Sequence, residues 1–178
     1  MVTMTDRWIE RRTVFAGRVL DVGEEVHRLP NGRTATFEVI RHPGGAAVLP
    51  VLADGRVVLI RQYRPALGTM LWEIPAGRLE PGESPEACVR RELIEEAGYE
   101  AARLTSLGGL WSAAGFCDEY VALYAAYDLR PVSAAPEADE IIEPVAMPLA
   151  AALDLLFRGE IRDAKTQLAL LRYAWPGT

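Results

Sequence analysis

Three glutamates, Glu92, Glu95 and Glu96, lie within five residues of one another in the middle of the chain. On a helix, residues three and four positions apart share a face, and like charges there destabilise it by roughly 0.2–0.5 kcal/mol per pair. A bound divalent cation removes that cost. Carboxylate oxygens at this density suit Mg²⁺ or Mn²⁺, which keep several waters and bind through a few carboxylates plus substrate phosphates. The spacing therefore predicts a metal site, although a solvated amphipathic helix shows the same cluster.

The segment that carries the glutamates has the signals of a short helix. Ser84 is a good N-cap, Pro85 suits the first helical position and Gly98 suits the position after the end. These signals predict a helix over residues 85–97. At about 100° per residue the glutamates share one face. The other face is apolar and carries Ala87, Val89, Leu93, Ile94 and Ala97. We therefore expect the helix to pack through its apolar side and to present its carboxylates outward.

The stretch from Gly77 to Tyr99 resembles the Nudix box, a motif that reads G, five residues, E, seven residues, then R-E-U-x-E-E-x-G-U, with U apolar. Every position matches, with Leu93 and Tyr99 at the apolar places. The resemblance implies an α/β fold, the Nudix α/β/α sandwich on a mixed sheet, in which the box forms a loop, a helix and a second loop. It also implies hydrolysis of a nucleoside diphosphate linked to another group, with a divalent metal.

The resemblance assigns roles to the residues of the box. Glu92 and Glu96 are implied as direct metal ligands, together with the backbone carbonyl of Ala76. Glu95 is implied to hold a further metal ion or its water. Glu83 is implied as an additional or outer ligand.

Three other residues have supporting roles in the same resemblance. Arg91 braces the carboxylates, and Gly77 and Gly82 shape the loop, where a side chain would obstruct the backbone. The cofactor implied is Mg²⁺, with Mn²⁺ possible. Bound metal can neutralise a pyrophosphate, activate a water and stabilise the leaving phosphate.

The rest of the chain reads as alternating strands with two closing helices. Hairpin signals at Pro30-Asn31-Gly32 and Ala53-Asp54-Gly55 separate neighbouring strands. The predicted strands are Phe15–Val22, Glu24–Leu29, Thr34–Ile40, Ala46–Leu52, Arg56–Tyr63, Leu104–Trp111, Tyr120–Tyr127 and Ile142–Met147, and the predicted helices after the box are Leu149–Phe157 and Asp163–Trp175.

Residues 1–43 are predicted to form an N-terminal antiparallel β arm that precedes the Nudix hydrolase domain at 44–178. An arm of this length is similar to that of the ADP-ribose pyrophosphatase group, where it builds a dimer by exchange between subunits. The alternative is that the arm packs on its own domain. We expect a homodimer with the arm at its interface.

Segments outside the box resemble the same group and indicate substrate contacts. Arg64, at the end of Arg61-Gln62-Tyr63-Arg64, is expected to hold a phosphate or stack on a base, because a planar guanidinium does both. Glu73 lies in Leu71–Gly77, the lead into the box, and is expected to contact substrate or the partner chain.

The loop of residues 112–119 departs from the group's pattern. A serine and a proline are usual there, and this chain has Ala113 and Ala114. The change loses a hydroxyl and a fixed φ angle. Gly115, Phe116 and Glu119 remain as the expected substrate-binding residues of the loop.

Two further segments complete the comparison. The acidic run before Ile142 is expected to deliver a metal ligand or general base, with Glu140 as the first candidate and Glu137 as the second. A general base must come within hydrogen-bond reach of the attacking water. Residues 159–166 resemble the start of the group's C-terminal helix, which we interpret as support and not chemistry.

Composition narrows the function further. A formal charge of −6 with no basic stretch argues against a nucleic-acid partner. No apolar run is long enough to span a membrane, and the first residues lack a signal-peptide core. Cys88 and Cys117 do not suggest a disulfide framework, and two histidines offer no zinc constellation. We expect a cytoplasmic protein.

These observations predict magnesium-dependent hydrolysis of ADP-ribose, or a related ADP-sugar, to AMP and a sugar phosphate. The alternative is GDP-mannose or another nucleoside diphosphate sugar, which Ala113 and Ala114 keep open. A nucleotide sensor without turnover is the third reading, and it fits less well because the box is complete.

Overall fold

The computed structural model describes residues 8–134 and 140–175. The described chain contains β1 (Glu10–Ala16), β2 (Asp21–Arg28), β3 (Thr34–Arg41), β4 (Gly45–Pro50), β5 (Arg56–Arg64), β6 (Thr69–Glu73), β7 (Ala76–Arg78), α1 (Pro85–Ala97), β8 (Tyr99–Trp111), β9 (Tyr120–Pro131), β10 (Ile142–Pro148), α2 (Leu149–Phe157) and α3 (Ala164–Ala174). These elements divide into two compact units: Met1–Gly44 with Trp111–Glu119, and Gly45–Leu110 with Tyr120–Thr178.

The larger unit is an α/β structure on a mixed sheet. Four strands pair in the order β7-β4-β9-β8, with β4 parallel to β9 and antiparallel to β7. A second sheet, β10-β5-β6, is antiparallel throughout. The mixed α/β architecture confirms the predicted fold class.

Strand β4 separates two apolar cores because its side chains alternate between the faces of the sheet. Ala46 and Val48 pack with the apolar side of α1. Ala47 and Leu49 belong to the opposite core. The residues that α2, α3 and the segment between them add to that second core are Ala152, Ile161, Ala169 and Leu170. All six residues of β4 are buried, as expected for a strand covered on both faces.

Helix α1 has the predicted bounds. The Ser84 side chain accepts a hydrogen bond from the backbone N–H of Ala87 at 3.2 Å, and Gly98 ends the helix with φ of 71°. Its carboxylates, however, were expected to face outward, and this is wrong for two of them. Glu92 is 8% exposed and Glu96 is 3% exposed. The reason is β7, whose backbone lies against both side chains.

The smaller unit contains the antiparallel sheet β1-β2-β3 and the loop after β8. Its fully buried Glu25 accepts hydrogen bonds from Arg11 at 3.1 Å and from Arg41 at 2.8 Å. Arg41 also donates to Asp118 at 2.9 Å. Burial raises the pKa of Glu25, but these cations and His27 outweigh it and leave the pKa below its ordinary value.

The predicted strand Phe15–Val22 is wrong. β1 ends at Ala16, and a turn closed by the bond from the Gly17 N–H to the Leu20 carbonyl at 2.8 Å leads into β2. β6 and β7 were not predicted, since each is short. The compact unit that contains the arm ends at Gly44 but also takes in Trp111–Glu119, which had been assigned to the hydrolase domain. No helix in the described ranges is both long and apolar enough to cross a membrane.

Candidate active site

The glutamates of α1 are held against the loop that precedes the helix. The backbone N–H of Ala76 donates to Glu96 Oε2 at 2.8 Å. Gly77 leaves room for the neighbouring carboxylate, because a Cβ at that position would lie 1.6 Å from Glu92 Oε1. Both residues belong to β7, which pairs with β4 in the centre of the larger unit. The sheet therefore positions the loop, and the loop positions two carboxylates.

Arg91 connects three of the predicted glutamates. Its guanidinium donates to both oxygens of Glu83, at 3.0 and 3.1 Å, and to Glu95 Oε2 at 3.1 Å. It also donates to Glu92 Oε1 and to the carbonyl of Arg78 at 3.2 Å. Glu83, Glu92 and Glu95 thus lie around one partly buried patch, with Arg91 balancing part of their charge.

Burial and mutual repulsion disfavour the ionised forms of two of these carboxylates and so raise their pKa values. Burial raises the pKa of Glu96 to about 8, and the charges of Glu92 and Glu140 add to the shift. Burial also raises the pKa of Glu92, with Glu95 and Glu140 contributing in the same direction and Arg91 opposing them. Glu140 is therefore within electrostatic range of both residues, and its role as metal ligand or general base stays a prediction.

A divalent cation fits the donor set in type and in charge. Glu92 and Glu96 are buried oxygen ligands whose ionised forms are penalised in the protein alone, and a cation would remove that penalty. The described part of the chain holds no group of three or more His, Cys, Asp or Glu side chains already arranged around one point. Arg91 donates to oxygens of Glu83, Glu92 and Glu95, and each of these carboxylates keeps lone pairs that could bind a metal ion.

Arg64 and Glu73 lie together beside this patch. Arg64 donates from Nε to Glu73 Oε1 at 2.7 Å and from Nη2 to Oε2 at 2.6 Å. Lys165 donates to the same carboxylate. Because Glu73 is only 1% exposed and both of its oxygens accept bonds, its carboxylate holds two cations in this structure. The pKa of Arg64 is raised, first by Glu73 and to a smaller degree by Glu96 and Asp163.

The remaining predicted substrate residues lie in the smaller unit. The loop turns at Ala113, whose carbonyl accepts from the N–H groups of Phe116 at 3.0 Å and Cys117 at 2.9 Å. Phe116 is 57% exposed, and a Cβ on Gly115 would meet no atom within 4 Å. Glu119 lies 3.5 Å from His42 Nδ1.

Asp118 anchors this loop within its unit. Its carboxylate accepts from Arg41 at 2.9 Å and from the backbone N–H of His42 at 2.8 Å. The candidates Gly115, Phe116 and Glu119 therefore sit on a loop that Asp118 holds near its C-terminal end, and Phe116 presents an exposed ring.

The sequence interpretation missed one residue of the candidate site, Lys165. Lys165 lies in the segment 159–166, which was interpreted as support only, yet it contacts Glu73, and its charge opposes the rise in the pKa of Glu96. A signal was present, since Lys165 is the single lysine of the chain. Glu137, the second candidate for the general base, lies outside the described residues.

Comparison with known proteins agrees with the motif and the fold. The NUDIX domain model matches residues 41–169. The chain is 38% identical to an ADP-ribose pyrophosphatase of Bacillus subtilis (strain 168), over 96% of this chain and 93% of that protein. It is 40% identical to a GDP-mannose pyrophosphatase of Cronobacter sakazakii (strain ATCC BAA-894), over 75% of this chain and 78% of that protein.

A solved structure gives the same result for the fold. The crystal structure of an ADP compounds hydrolase superposes with a TM-score of 0.79 at 30% sequence identity, covering 95% of this chain and 93% of that one. The matched family model spans both β7 and α1, which carry the glutamates described above. The chain belongs to the NUDIX domain family of hydrolases.

Proposed function

We propose that this protein is a magnesium-dependent hydrolase that cleaves the diphosphate linkage of ADP-ribose, or of a related ADP-sugar, to give AMP and a sugar phosphate. The observation that carries the proposal is the buried pair Glu92 and Glu96, held by β7 and penalised for its negative charge. The similarity to an ADP-ribose pyrophosphatase over nearly the whole chain supports the choice of substrate.

In this proposal Mg²⁺ is held by Glu92 and Glu96, with the carbonyl of Ala76 as a further ligand. Glu95, Glu83 and Glu140 are the additional acidic candidates. When bound, the ion supplies charge neutralisation for the diphosphate, promotes ionisation of the attacking water and stabilises the leaving phosphate. Mn²⁺ suits the same oxygen ligands.

The chain's own residues have separable tasks. Arg91 holds Glu83, Glu92 and Glu95 in one arrangement through its hydrogen bonds. Glu140 is our candidate for the base that accepts the proton of the attacking water, because it lies in electrostatic range of both Glu92 and Glu96. Arg64 binds an oxygen of the substrate's diphosphate.

The loop of residues 112–119 in the smaller unit determines, in this proposal, whether ADP-ribose or GDP-mannose is the preferred substrate. Gly115, Phe116 and Glu119 are the proposed contacts, and the exposed ring of Phe116 suits stacking on a planar base. The similarity to a GDP-mannose pyrophosphatase favours GDP-mannose as the second candidate substrate. Ala113 and Ala114, in place of serine and proline, leave that choice open.

We further propose that the protein is a homodimer with the arm at its interface. The support is a set of large apolar side chains that the smaller unit exposes on and around β1 and β3, the kind of side chain that protein–protein interfaces bury. They include Ile9, Val14, Phe15, Val19, Leu20 and Phe37, with exposed fractions from 43% to 56%. Light scattering coupled to size exclusion should give twice the chain mass of 19.6 kDa. A monomer at micromolar concentration contradicts this part of the proposal.

A cytoplasmic location is part of the same proposal. Its support is the cysteine usage: Cys88 is buried and Cys117 is partly buried, and both are free thiols. Free thiols of this kind are usual in a reducing compartment.

Product analysis tests the proposal directly. The purified protein is incubated with ADP-ribose, ADP-glucose, GDP-mannose and NADH, in Mg²⁺ and in chelator, and phosphomonoesters are separated by chromatography. AMP from ADP-ribose, in Mg²⁺ only and well above the other products, is the expected result. Preference for GDP-mannose would identify the second candidate as the substrate. Nucleotide binding without turnover of any of them supports a sensor and overturns hydrolysis.

A further inference from the structure

Lys165, at the start of α3, is the single lysine of the chain. Of 19 lysine and arginine residues, only Lys165 is a lysine. Its side chain is 14% exposed. Lysine's ammonium is a compact point charge with three donors, whereas a guanidinium is a planar fork. Lys165 therefore places the chain's one compact ammonium in a mostly enclosed position.

Lys165 lies between two carboxylates. Its Nζ donates to Asp163 Oδ1 at 2.9 Å and to Glu73 Oε2. The same Oε2 accepts from Nη2 of Arg64 at 2.6 Å. Glu73 is 1% exposed, so its charge is balanced inside the protein by these two cations. Movement of Lys165 must change how the carboxylate meets Arg64.

The start of α3 fixes the other end of this network. Asp163 Oδ2 accepts from the Thr166 backbone N–H at 2.9 Å and from its hydroxyl at 2.6 Å. The Thr166 hydroxyl oxygen also accepts from the N–H of Ile74 at 2.9 Å. Two neighbouring residues of α3 thus contact two neighbouring residues earlier in the chain: Lys165 contacts Glu73, and Thr166 contacts Ile74.

The network ends at a guanidinium with unused donors. Arg64 uses Nε and Nη2 for Glu73, and its Nη1 makes no hydrogen bond to the residues the structure describes. The side chain is 38% exposed. Glu96 interacts electrostatically with both Arg64 and Lys165. Arg64 therefore lies within electrostatic range of Glu96, one of the two carboxylates that would hold the metal ion.

We propose that Lys165 is a positioning residue for substrate binding: through Glu73 it fixes Arg64 so that the remaining N–H groups meet the diphosphate of a nucleotide substrate. The inference rests on the proposed function and adds a specific role for the α3 terminus. It makes Glu73 a support for Arg64 and not a group that touches substrate.

A double-mutant cycle tests the proposal. Lys165→Met keeps length and removes the charge, and Arg64→Ala removes the group that it positions. We expect Lys165→Met to raise KM about tenfold, the size of a lost charge-assisted hydrogen bond, with kcat changed less than about threefold. In the Arg64→Ala background the same change should have almost no effect on KM. Arg162→Met, which removes an exposed cation three residues away, is the matched control and should leave both constants unchanged.

A second variant covers the case in which Lys165→Met does not fold. Asp163→Asn removes the charge that holds Lys165 but keeps a good N-cap for α3. It should raise KM about threefold, again only when Arg64 is present. An equal rise in both backgrounds, or an unchanged KM in a folded Asp163→Asn protein, overturns the positioning role.

One spectroscopic measurement needs no turnover. Labelling with ¹⁵N-lysine gives a single side-chain Nζ signal, because the chain has one lysine. Arg64→Ala should shift that signal and Arg162→Met should not, and an unmoved signal overturns the coupling. Wild-type protein without hydrolytic activity contradicts the proposed function alone. Active protein in which only Arg64→Ala raises KM contradicts this inference alone.

Discussion

Glu92 and Gly77 share one small space: a Cβ on residue 77 would lie 1.6 Å from Glu92 Oε1 and 2.2 Å from its Cδ. Contacts of that length do not occur, so any side chain at position 77 must displace the carboxylate. The first glycine of the motif is therefore required by the glutamate fifteen residues later, because the loop backbone and the helix side chain pack directly.

Gly77→Ala should consequently move Glu92 and reduce activity. A displacement of about 1 Å in a reacting group can cost about 100-fold in rate, and we expect a loss of about 10–100-fold in kcat. Gly55→Ala is the control for a glycine-to-alanine change in general, because a Cβ on Gly55 would meet no atom within 4 Å, and a folded Gly55→Ala protein should keep its rate. Near-normal turnover by a folded Gly77→Ala protein would show that the Glu92 position does not matter.

Glu96→Gln should lower turnover without harming the fold. The amide keeps an oxygen for the Ala76 N–H, whose bond to Glu96 measures 2.8 Å, but it loses the charge that binds metal. We expect kcat to fall by at least about 100-fold. Circular dichroism checks folding, and Mg²⁺ titration by calorimetry checks binding. A folded variant that keeps most of its rate contradicts the metal assignment.

Stability without metal should depend on pH through the same residue. The pKa of Glu96 is raised from 4.5 to about 8 by burial, so the folded state binds more protons than the unfolded state between these values. Stability is then greatest below about pH 4.5 for this group and falls as pH rises towards 8. Glu92 acts in the same direction.

Thermal unfolding in chelator, at intervals from pH 5 to pH 8.5, measures this effect. The midpoint of the wild type should fall as pH rises, and Glu96→Gln should flatten the profile. Mg²⁺ should restore the midpoint at high pH, because it binds the ionised form. Carboxylates whose pKa is lowered, such as Glu73 and Glu83, act in the opposite sense only at lower pH. Equal slopes in the two proteins contradict the burial argument.

Arg91 should be needed both for stability and for rate. It donates to Glu83, Glu92 and Glu95, and its loss leaves repelling carboxylates around one partly buried patch. Arg91→Ala should lower activity by about 10–100-fold, as outer partners of metal ligands do. Arg90→Ala is the matched control, because the neighbouring arginine is exposed and, among the described residues, bonds only to the carbonyl of Ala101. Equal effects of the two changes would remove Arg91 from the site.

The sequence predicted those parts that depend on neighbouring residues. Helix α1 has the expected bounds because Ser84 and Gly98 act locally on the first and last turns. The strand Phe15–Val22 failed because its apolar residues continue through a turn at Gly17, and the interpretation followed hydrophobicity alone. Short β7 has no periodicity of its own, and its burial of Glu92 and Glu96 depends on pairing with β4.

Long-range contacts account for the rest of the difference. Lys165 meets Glu73 across 92 positions, and Asp118 meets Arg41 across 77. From the sequence alone, several other charged residues are equally good partners for each member of these pairs. Only the packed fold selects one partner. It encloses Glu73, expected to contact substrate or the partner chain, between Arg64 and Lys165.

Ala114→Pro should strengthen the preference for ADP-ribose over GDP-mannose. The bond from Phe116 N–H to the Ala113 carbonyl at 3.0 Å makes residues 113–116 a turn with Ala114 second. Proline is favoured at that place, and its ring restricts the unfolded chain, which should stabilise the protein by about 0.4–1 kcal/mol.

A stiffer turn should also hold Phe116 in one orientation. We expect the ratio of kcat/KM for the two substrates to rise several-fold, with the rate on a minimal diphosphate unchanged because the metal site lies outside the loop. Adding Ala113→Ser restores the hydroxyl and should add to the effect. A rise in stability with no change in the ratio would show that this loop does not read the nucleotide.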